Sequence, residues 1–190
     1  MQMDSIWEKT VQMPAFSPLE GDLSTDVLVI GGGLAGLLCA WNLTRSGIAC
    51  TLIEEKRIMH GVSGRTTAKI TSQHGLIYNR LLRDLGPERA RMYWQANEDA
   101  LAFFRNQAQA AEWDFLPQNN YIYATSGNER LENEMAAYEK LQIPARWETN
   151  LPLPFPISGA LCFTNQAQFH PLKFAANISA ALRLQCSPKA

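Results

Sequence analysis

Apolar runs, amphipathic stretches and glycine or proline breaks alternate along this chain, and their order predicts a mixed α/β architecture. Asp26-Val-Leu-Val-Ile30 is a short, wholly apolar run entering glycines, the pattern of a parallel strand buried on both faces. Leu34 to Arg45 has the periodicity of a helix, and Gly47 is placed as its C-terminal stop. Ala49-Cys-Thr-Leu-Ile53 is a second apolar strand, and it ends in Glu54-Glu55-Lys56. Strand, helix and strand within about thirty residues make one βαβ unit.

The rest of the pattern is looser. Residues 57–79 are rich in Gly, Ser and Thr and are expected to form a loop. Pro87 to Glu112 is strongly helical, with Tyr93, Ala96, Ala100, Phe103 and Phe104 expected along one face. A strand at Tyr121–Thr125, an amphipathic helix at Glu129–Leu141, a turn marked by Pro152, Pro154 and Pro156, and a strand at Ala160–Thr164 follow. His170-Pro171 opens a last helix, expected to run to about Leu184. The first 24 residues are an irregular lead-in, since Pro14 and Pro18 interrupt any continuous helix, and Trp7 and Phe16 are candidate anchors for it. Tyr78 and Tyr121 suit core or interface positions better than substrate clamps, and Trp94, Phe103 and Phe104 are expected in the core. No internal repeat is found.

Composition narrows the function classes. A chain of 190 residues, 46% hydrophobic, can bury one core and a small second lobe. With 17 Lys and Arg against 18 Asp and Glu it has no basic field to concentrate nucleic acid or an anionic membrane. Cys39, Cys50, Cys162 and Cys186 form no C-x-x-C pair and have no histidine at zinc-ligand spacing, so no metal site is expected and the cysteines suit a reduced, intracellular protein. Residues 1–25 carry Asp4, Glu8, Lys9, Glu20 and Asp22 around no apolar centre, unlike a signal peptide. Val27–Leu43 is broken by four glycines and is too short to span a bilayer. Cytoplasmic residence is the expectation.

One motif carries chemistry. Gly31-Gly-Gly33-Leu-Ala-Gly36 fits G-x-G-x-x-G, which alone is weak evidence but here follows a buried strand and opens a helix. Gly31 permits the turn out of the strand, Gly33 lets backbone approach a pyrophosphate, and Gly36 lets helix pack on strand. The helix start then offers unpaired N–H groups and partial positive charge to phosphate, with Leu34 and Ala35 in its first turn. Glu54, with Glu55 beside it, closes the next strand 18 positions after Gly36, where an acid accepts hydrogen bonds from an adenosine ribose and disfavours a 2′-phosphate. The bland alternative is a glycine-rich turn that binds nothing. The motif by itself does not separate FAD from NAD.

Val62-Ser-Gly-Arg-Thr-Thr-Ala-Lys69 resembles the segment that follows the ribose-binding acid in the D-amino-acid oxidase and glycine oxidase superfamily. The resemblance is nearest to a bacterial branch of FAD-dependent oxidoreductases in which the flavin domain is often fused to a C-terminal Rieske iron–sulfur domain. It extends through Ser5-Ile-Trp7, Leu19-Glu-Gly-Asp22, Asp26–Gly33, Arg65–Tyr78 and Gln166-Ala-Gln-Phe-His-Pro171. It implies FAD as cofactor, with Ser63, Gly64, Arg65, Thr66 and Thr67 passing the pyrophosphate. It also implies a Rossmann-like FAD-binding βαβ unit plus part of an α+β substrate domain. The corresponding division is an extension at 1–25, the first part of the FAD domain at 26–85, a partial substrate domain at 86–169, and a returning helix at 170–190. An ordinary polar connection is the alternative for 63–67, a surface ion pair for Arg65, and a structural role for His74, whose other option is the flavin or substrate side.

What the resemblance implies for activity is oxidation of a small amine or amino-acid substrate by hydride transfer to flavin, with a small molecule as the partner. No catalytic residue is assigned, and oligomeric state is left open. Leu184–Ala190 matches no strand expected next, so an N-terminal portion of a longer enzyme, cut short by a frameshift, early stop or truncation, is the expectation. A non-catalytic remnant binding at most the ADP part is the alternative, and an NAD-linked dehydrogenase ranks below both.

Overall fold

The computed structural model describes residues 5–109, 112–180, 182 and 184–186. The described residues fall into two compact units, the first drawn from 1–68, 111–114 and 169–190, the second from 69–110 and 115–168.

In the first unit a short helix α1 (Ile6–Thr10) precedes strand β1 (Val27–Ile30), helix α2 (Leu34–Arg45) and strand β2 (Cys50–Glu54). Helix α2 begins and ends where the glycines place it. Its C-terminus closes with Gly47 at φ 76°, Ile48 N–H donating to Leu43 O and Gly47 N–H to Thr44 O, so two carbonyls the helix leaves open are satisfied. Leu37 and Ala40 of α2 and Leu52 of β2 are buried. β1 and β2 pair in parallel, Val27 opposite Cys50 through Ile30 opposite Ile53.

Three expectations for this unit are corrected. β1 is not buried on both faces: Leu28 is 49% and Ile30 77% exposed, because β1 lies at one edge of a sheet ordered β1-β2-β7 and only its Val29 side packs toward α2. The segment expected to match no strand does form one. β7 (Leu184–Cys186) adds in parallel to β2, Leu52 opposite Leu184 and Glu54 opposite Cys186. Helix α5 (Pro171–Ser179) opens at His170-Pro171 as expected but stops well before Leu184. Residues 187–190 of the expected irregular ending lie outside the described residues.

The second unit is an antiparallel sheet with two helices. Strands β3 (Lys69–Ile70), β4 (Leu116–Ala124), β5 (Arg146–Glu148) and β6 (Gly159–Gln168) share β6 as their centre, in the order β3-β6-β4 with β5 also on β6. Helix α3 (Tyr78–Ala108) starts earlier than Pro87, and its first turns lie in what the composition marks as loop. Gly86, at φ 78° and ψ 170°, breaks it just before Pro87, so the sequence pattern captures only the second segment. Residues 110 and 111 of the expected helix lie outside the described residues. The expected inward face is also shifted: Ala96 and Ala100 are exposed, while Ala90 and Leu101 are buried and Trp94, Asn97 and Glu98 half-buried. The reason is polar. Glu98 accepts from Ser72 Oγ at 2.5 Å, so a charged residue occupies a position that a hydrophobicity count discards. Helix α4 (Glu129–Leu141) has the expected bounds.

The core of this unit groups Tyr78, Ala90, Leu131, Tyr138, Leu141, Leu161 and Phe163, with the Tyr138 ring 5.5 Å from Tyr78 and 5.0 Å from Phe163. Each large apolar side chain so buried contributes about 1.5–3 kcal/mol. A buried polar layer adjoins it. Gln166 Oε1 accepts from Ser72 N–H at 2.7 Å, and Asn120 Nδ2 donates to Gln73 Oε1 at 2.7 Å. These bonds fix residues 72–73, which lack secondary structure, against the sheet.

The opening of α3 is capped from a distance. Glu134 of α4 is 1% exposed and its carboxylate accepts from Tyr78 N–H at 2.7 Å and Asn79 N–H at 3.0 Å. Replacing Glu134 by Ala strands two donors, so a loss of about 2–4 kcal/mol is expected, with a smaller loss for Glu134→Gln, which keeps one acceptor oxygen. Urea unfolding of both variants checks this, and an alanine variant as stable as the parent would refute it.

Candidate functional site

The glycine motif forms a turn lined by backbone amides. Gly31 sits at φ 104°, a conformation that disfavours any side chain, and its N–H continues the sheet by donating to Ile53 O at 2.8 Å. A Cβ on Gly36 would overlap the Gly31 carbonyl oxygen, so α2 can start this close to β1 only with glycine there. Gly33 is the N-cap of α2, extended and without a side chain to cap it, so the first helical amides need oxygens from elsewhere.

Two side chains supply them. The Glu54 carboxylate, at the end of β2, turns back to the glycine turn: Oε2 accepts from Gly32 N–H at 2.7 Å, while Oε1 accepts from Lys56 N–H at 3.0 Å. Ser63 Oγ accepts from Leu34 N–H at 3.1 Å and would lie 3.0 Å from a Cβ on Gly33. Thus Gly31, Gly33, Leu34, Gly36, Glu54 and Ser63 are brought into one place. Ala35 is exposed on the first turn of α2, and Glu55 is exposed one residue beyond β2.

The expected loop contains a single 3-10 turn over Val62–Arg65. Gly64 is buried, and a Cβ there would collide with the Met59 carbonyl oxygen. Met59 in turn donates its N–H to Gly32 O at 2.8 Å, so the segment after β2 is tied to the glycine turn by backbone as well as by Glu54. Thr66 is half-buried, with its hydroxyl accepting from Ala68 N–H at 3.3 Å; Thr67 is exposed. Arg65 Nε stands 3.9 Å from Glu8 Oε2. His74, in the other unit, has its exposed ring paired with Tyr93 Oη at 2.8 Å.

Sequence reasoning missed the helix that holds this loop. Ser5-Ile-Trp-Glu8 is an S-x-x-E capping box: Ser5 Oγ accepts from Glu8 N–H at 3.2 Å and Ser5 N–H donates to Glu8 Oε2 at 2.9 Å, which holds the Glu8 carboxyl below its ordinary range. The signal is local and short, five residues ahead of a lead-in that Pro14 and Pro18 keep irregular. Trp7 anchors the segment as expected, its ring edge-on to His170 with centroids 5.0 Å apart. Beside α1, a cavity of about 760 Å³ is walled by residues including Thr10, Phe16, Lys56, Arg57, His60 and Leu172.

Comparison with known proteins follows the same outline. Residues 26–185 match the family model described as FAD dependent oxidoreductase (DAO). The chain belongs to the FAD dependent oxidoreductase family. FAD is the cofactor of that family, which removes the NAD-linked alternative. The chain is 35% identical over 175 residues to the Bacillus subtilis protein YhfW, which is named as a Rieske 2Fe-2S iron-sulfur protein; the match covers 90% of this chain and 34% of YhfW. Among solved structures, L-proline dehydrogenase from P. horikoshii aligns with a TM-score of 0.62 at 14% identity, covering 93% of this chain and 45% of that one. L-amino acid deaminase from Proteus myxofaciens aligns with a TM-score of 0.63 at 15% identity, covering 99% and 42%. At these identities the structural likeness shows the fold. The chain therefore spans about a third to under a half of the length of these proteins. Among the described residues, no group of side chains is arranged to hold a metal ion, and no helix is long and apolar enough to cross a membrane.

His170 gives this unit a titration signature. Its Nδ1 accepts from Lys173 N–H at 3.2 Å as the cap of α5, so in the neutral ring the proton sits on Nε2, 2.9 Å from Thr10 Oγ1. Burial holds its pKa below the ordinary 6.5, against the opposing pull of Asp114, which is itself paired with Lys173 at 2.9 Å. Between the folded and unfolded values the unfolded chain binds more protons, so His170's contribution is complete above about 6.5 and is lost as pH falls toward the folded value. The melting midpoint should therefore drop more steeply from neutral pH into the mildly acidic range in the parent than in His170→Asn, which keeps a capping oxygen that does not titrate. Parallel curves for the two proteins would contradict this.

Proposed function

We propose that this chain carries the ADP-binding portion of an FAD-dependent oxidoreductase that oxidises a small amine or amino-acid substrate. The observation that carries the proposal is the pair of side-chain oxygens on the glycine turn, Glu54 on the Gly32 amide and Ser63 on the Leu34 amide. The cradle fits the group: it is free of side chains at Gly31, Gly33 and Gly36, and it presents amide donors at the start of a 12-residue helix. Gly33, Leu34 and Ser63 would hold the pyrophosphate, Ser63 by turning its hydroxyl proton to a phosphate oxygen. Glu54 would accept from the ribose hydroxyls while keeping its bond to Gly32. Gly64, Arg65, Thr66 and Thr67 would carry the loop along the cofactor, and Ala35 and Glu55 would border the phosphate and ribose ends.

What FAD supplies when bound is a hydride acceptor for a C–N or C–O bond. An amine or amino-acid substrate is the reading in keeping with the names of L-proline dehydrogenase and L-amino acid deaminase, although L-alpha-glycerophosphate oxidase, named for an alcohol, shares the fold to the same degree. The balance of charges, −1 net, supports a small-molecule partner over a nucleic acid or a membrane surface.

Titration of the protein with FAD, followed by quenching of flavin fluorescence, tests the reading. Saturable binding of FAD and competition by ADP are expected. Gly33→Val should abolish binding with helix content unchanged, since its side chain would meet Ser63 Oγ and the phosphates. Glu54→Ala should weaken binding by about 1–3 kcal/mol through loss of charge-assisted hydrogen bonds. Undiminished FAD binding by Gly33→Val would overturn the phosphate assignment, and binding without oxidation of any amino acid would leave the non-catalytic alternative in place.

A further inference from the structure

Helix α1 is only five residues long, none of them buried, and Ile6 is 66% exposed, so it has no core of its own to hold it. Its side chains nevertheless converge on three consecutive residues of the loop after β2. Ser5 Oγ donates to Gly64 O at 2.7 Å, Trp7 Nε1 donates to Thr66 O at 2.9 Å, and Glu8 Oε2 faces Arg65 Nε between them. The residue before that trio is Ser63, whose hydroxyl holds the first helical amide of α2. At its other end, α1 rests on His170 through the Trp7 ring and Thr10 Oγ1.

From this we infer that α1 is a clasp on the cofactor loop, and that Ser5 and Trp7 are positioning residues that set the affinity for FAD by fixing the carbonyls of Gly64 and Thr66. The inference rests on the FAD reading above. Within the 3-10 turn Gly64 N–H reaches Gly61 O at 3.2 Å, and the outward carbonyls of 64 and 66 on either side of Arg65 are met by Ser5 and Trp7. Without those donors the loop can rotate its peptide planes, and Ser63 leaves the position from which it serves the Leu34 amide and the phosphate. Coupling of this kind is reciprocal: if α1 favours the loop geometry that binds FAD, FAD must favour the docked α1 by the same factor.

The test uses the full chain and FAD itself. Trp7→Phe removes the donor to Thr66 O, and Ser5→Ala removes both the donor to Gly64 O and the cap on Glu8 N–H; each should raise the FAD dissociation constant about three- to tenfold, the size of one net hydrogen bond. Ser5→Thr, which keeps the hydroxyl, should restore parent affinity, whereas a purely structural role would lower the melting midpoint of the FAD-free variants and leave their FAD dissociation constants at the parent value. A second measurement needs no variant: saturating FAD should slow amide hydrogen exchange in residues 5–10 together with 62–66. If the parent binds FAD while both variants bind it equally well, or while exchange in 5–10 is indifferent to FAD, the clasp is overturned. If the parent binds no FAD, the cofactor reading itself fails, a distinct outcome.

Discussion

The first unit depends on the contact between Gly36 and the Gly31 carbonyl. With no side chain at 36, α2 starts against the end of β1, and the backbone between them must turn within a few residues. That leaves amides at 32 and 34 that neither strand nor helix can pair, in a place too tight for side chains of their own. The oxygens that satisfy them come from the next stretch of chain, Glu54 and Ser63. The turn is thus ringed by amide donors at the start of a helix, two of them held by a carboxylate and a hydroxyl of the same chain.

Once those donors are fixed, the following segment has little freedom. Met59 reaches back to Gly32 O and adopts a left-handed backbone at φ 61°, uncommon for a residue of its kind. Its own carbonyl then comes so near residue 64 that only glycine fits there, and Ser63 is delivered beside the helix start. The order of residues from Gly31 to Gly64 is therefore a sequence of backbone constraints, each making the next one necessary. Helix α1 meets the outward side of the same segment through Ser5 and Trp7 and rests on the His170 cap of α5 through Thr10, which ties the two ends of the first unit together beside that loop.

How much of this is legible in sequence follows from where the information lies. β1, α2 and β2 are legible because an apolar run, three glycines and a terminal acid are local signals with local causes. The bounds of α4 are legible for the same reason. The inward face of α3 is not, because Glu98 takes a core position by hydrogen bonding to Ser72, a partner 26 residues away. The first turns of α3 escape notice because their cap, Glu134, lies more than fifty residues downstream. β7 is missed since three residues of mixed polarity say nothing without β2 beside them. Helix α1 is a different case: its capping box is a local signal in Ser5 and Glu8, but five residues carry too little periodicity to mark a helix ahead of Pro14 and Pro18.

Two glutamates make the distinction between a strut and a site. Glu54 and Glu134 each accept two backbone N–H groups, at 2.7 and 3.0 Å in both cases, and each stands where a turn of chain leaves donors unpaired. Their surroundings differ. Glu134 is 1% exposed among Tyr78, Tyr138 and Leu131, and a carboxylate so enclosed has no spare lone pair that a ligand could reach. Glu54 is half-buried at a strand end, next to exposed Glu55 and Lys56, and each of its oxygens keeps a lone pair directed away from the backbone it holds. Hydrogen-bond geometry alone would rank the two residues equally. Access separates them: the same chemistry closes a fold where solvent is excluded and, where it is not, leaves acceptor oxygens open to solvent, as the proposed ribose contact requires.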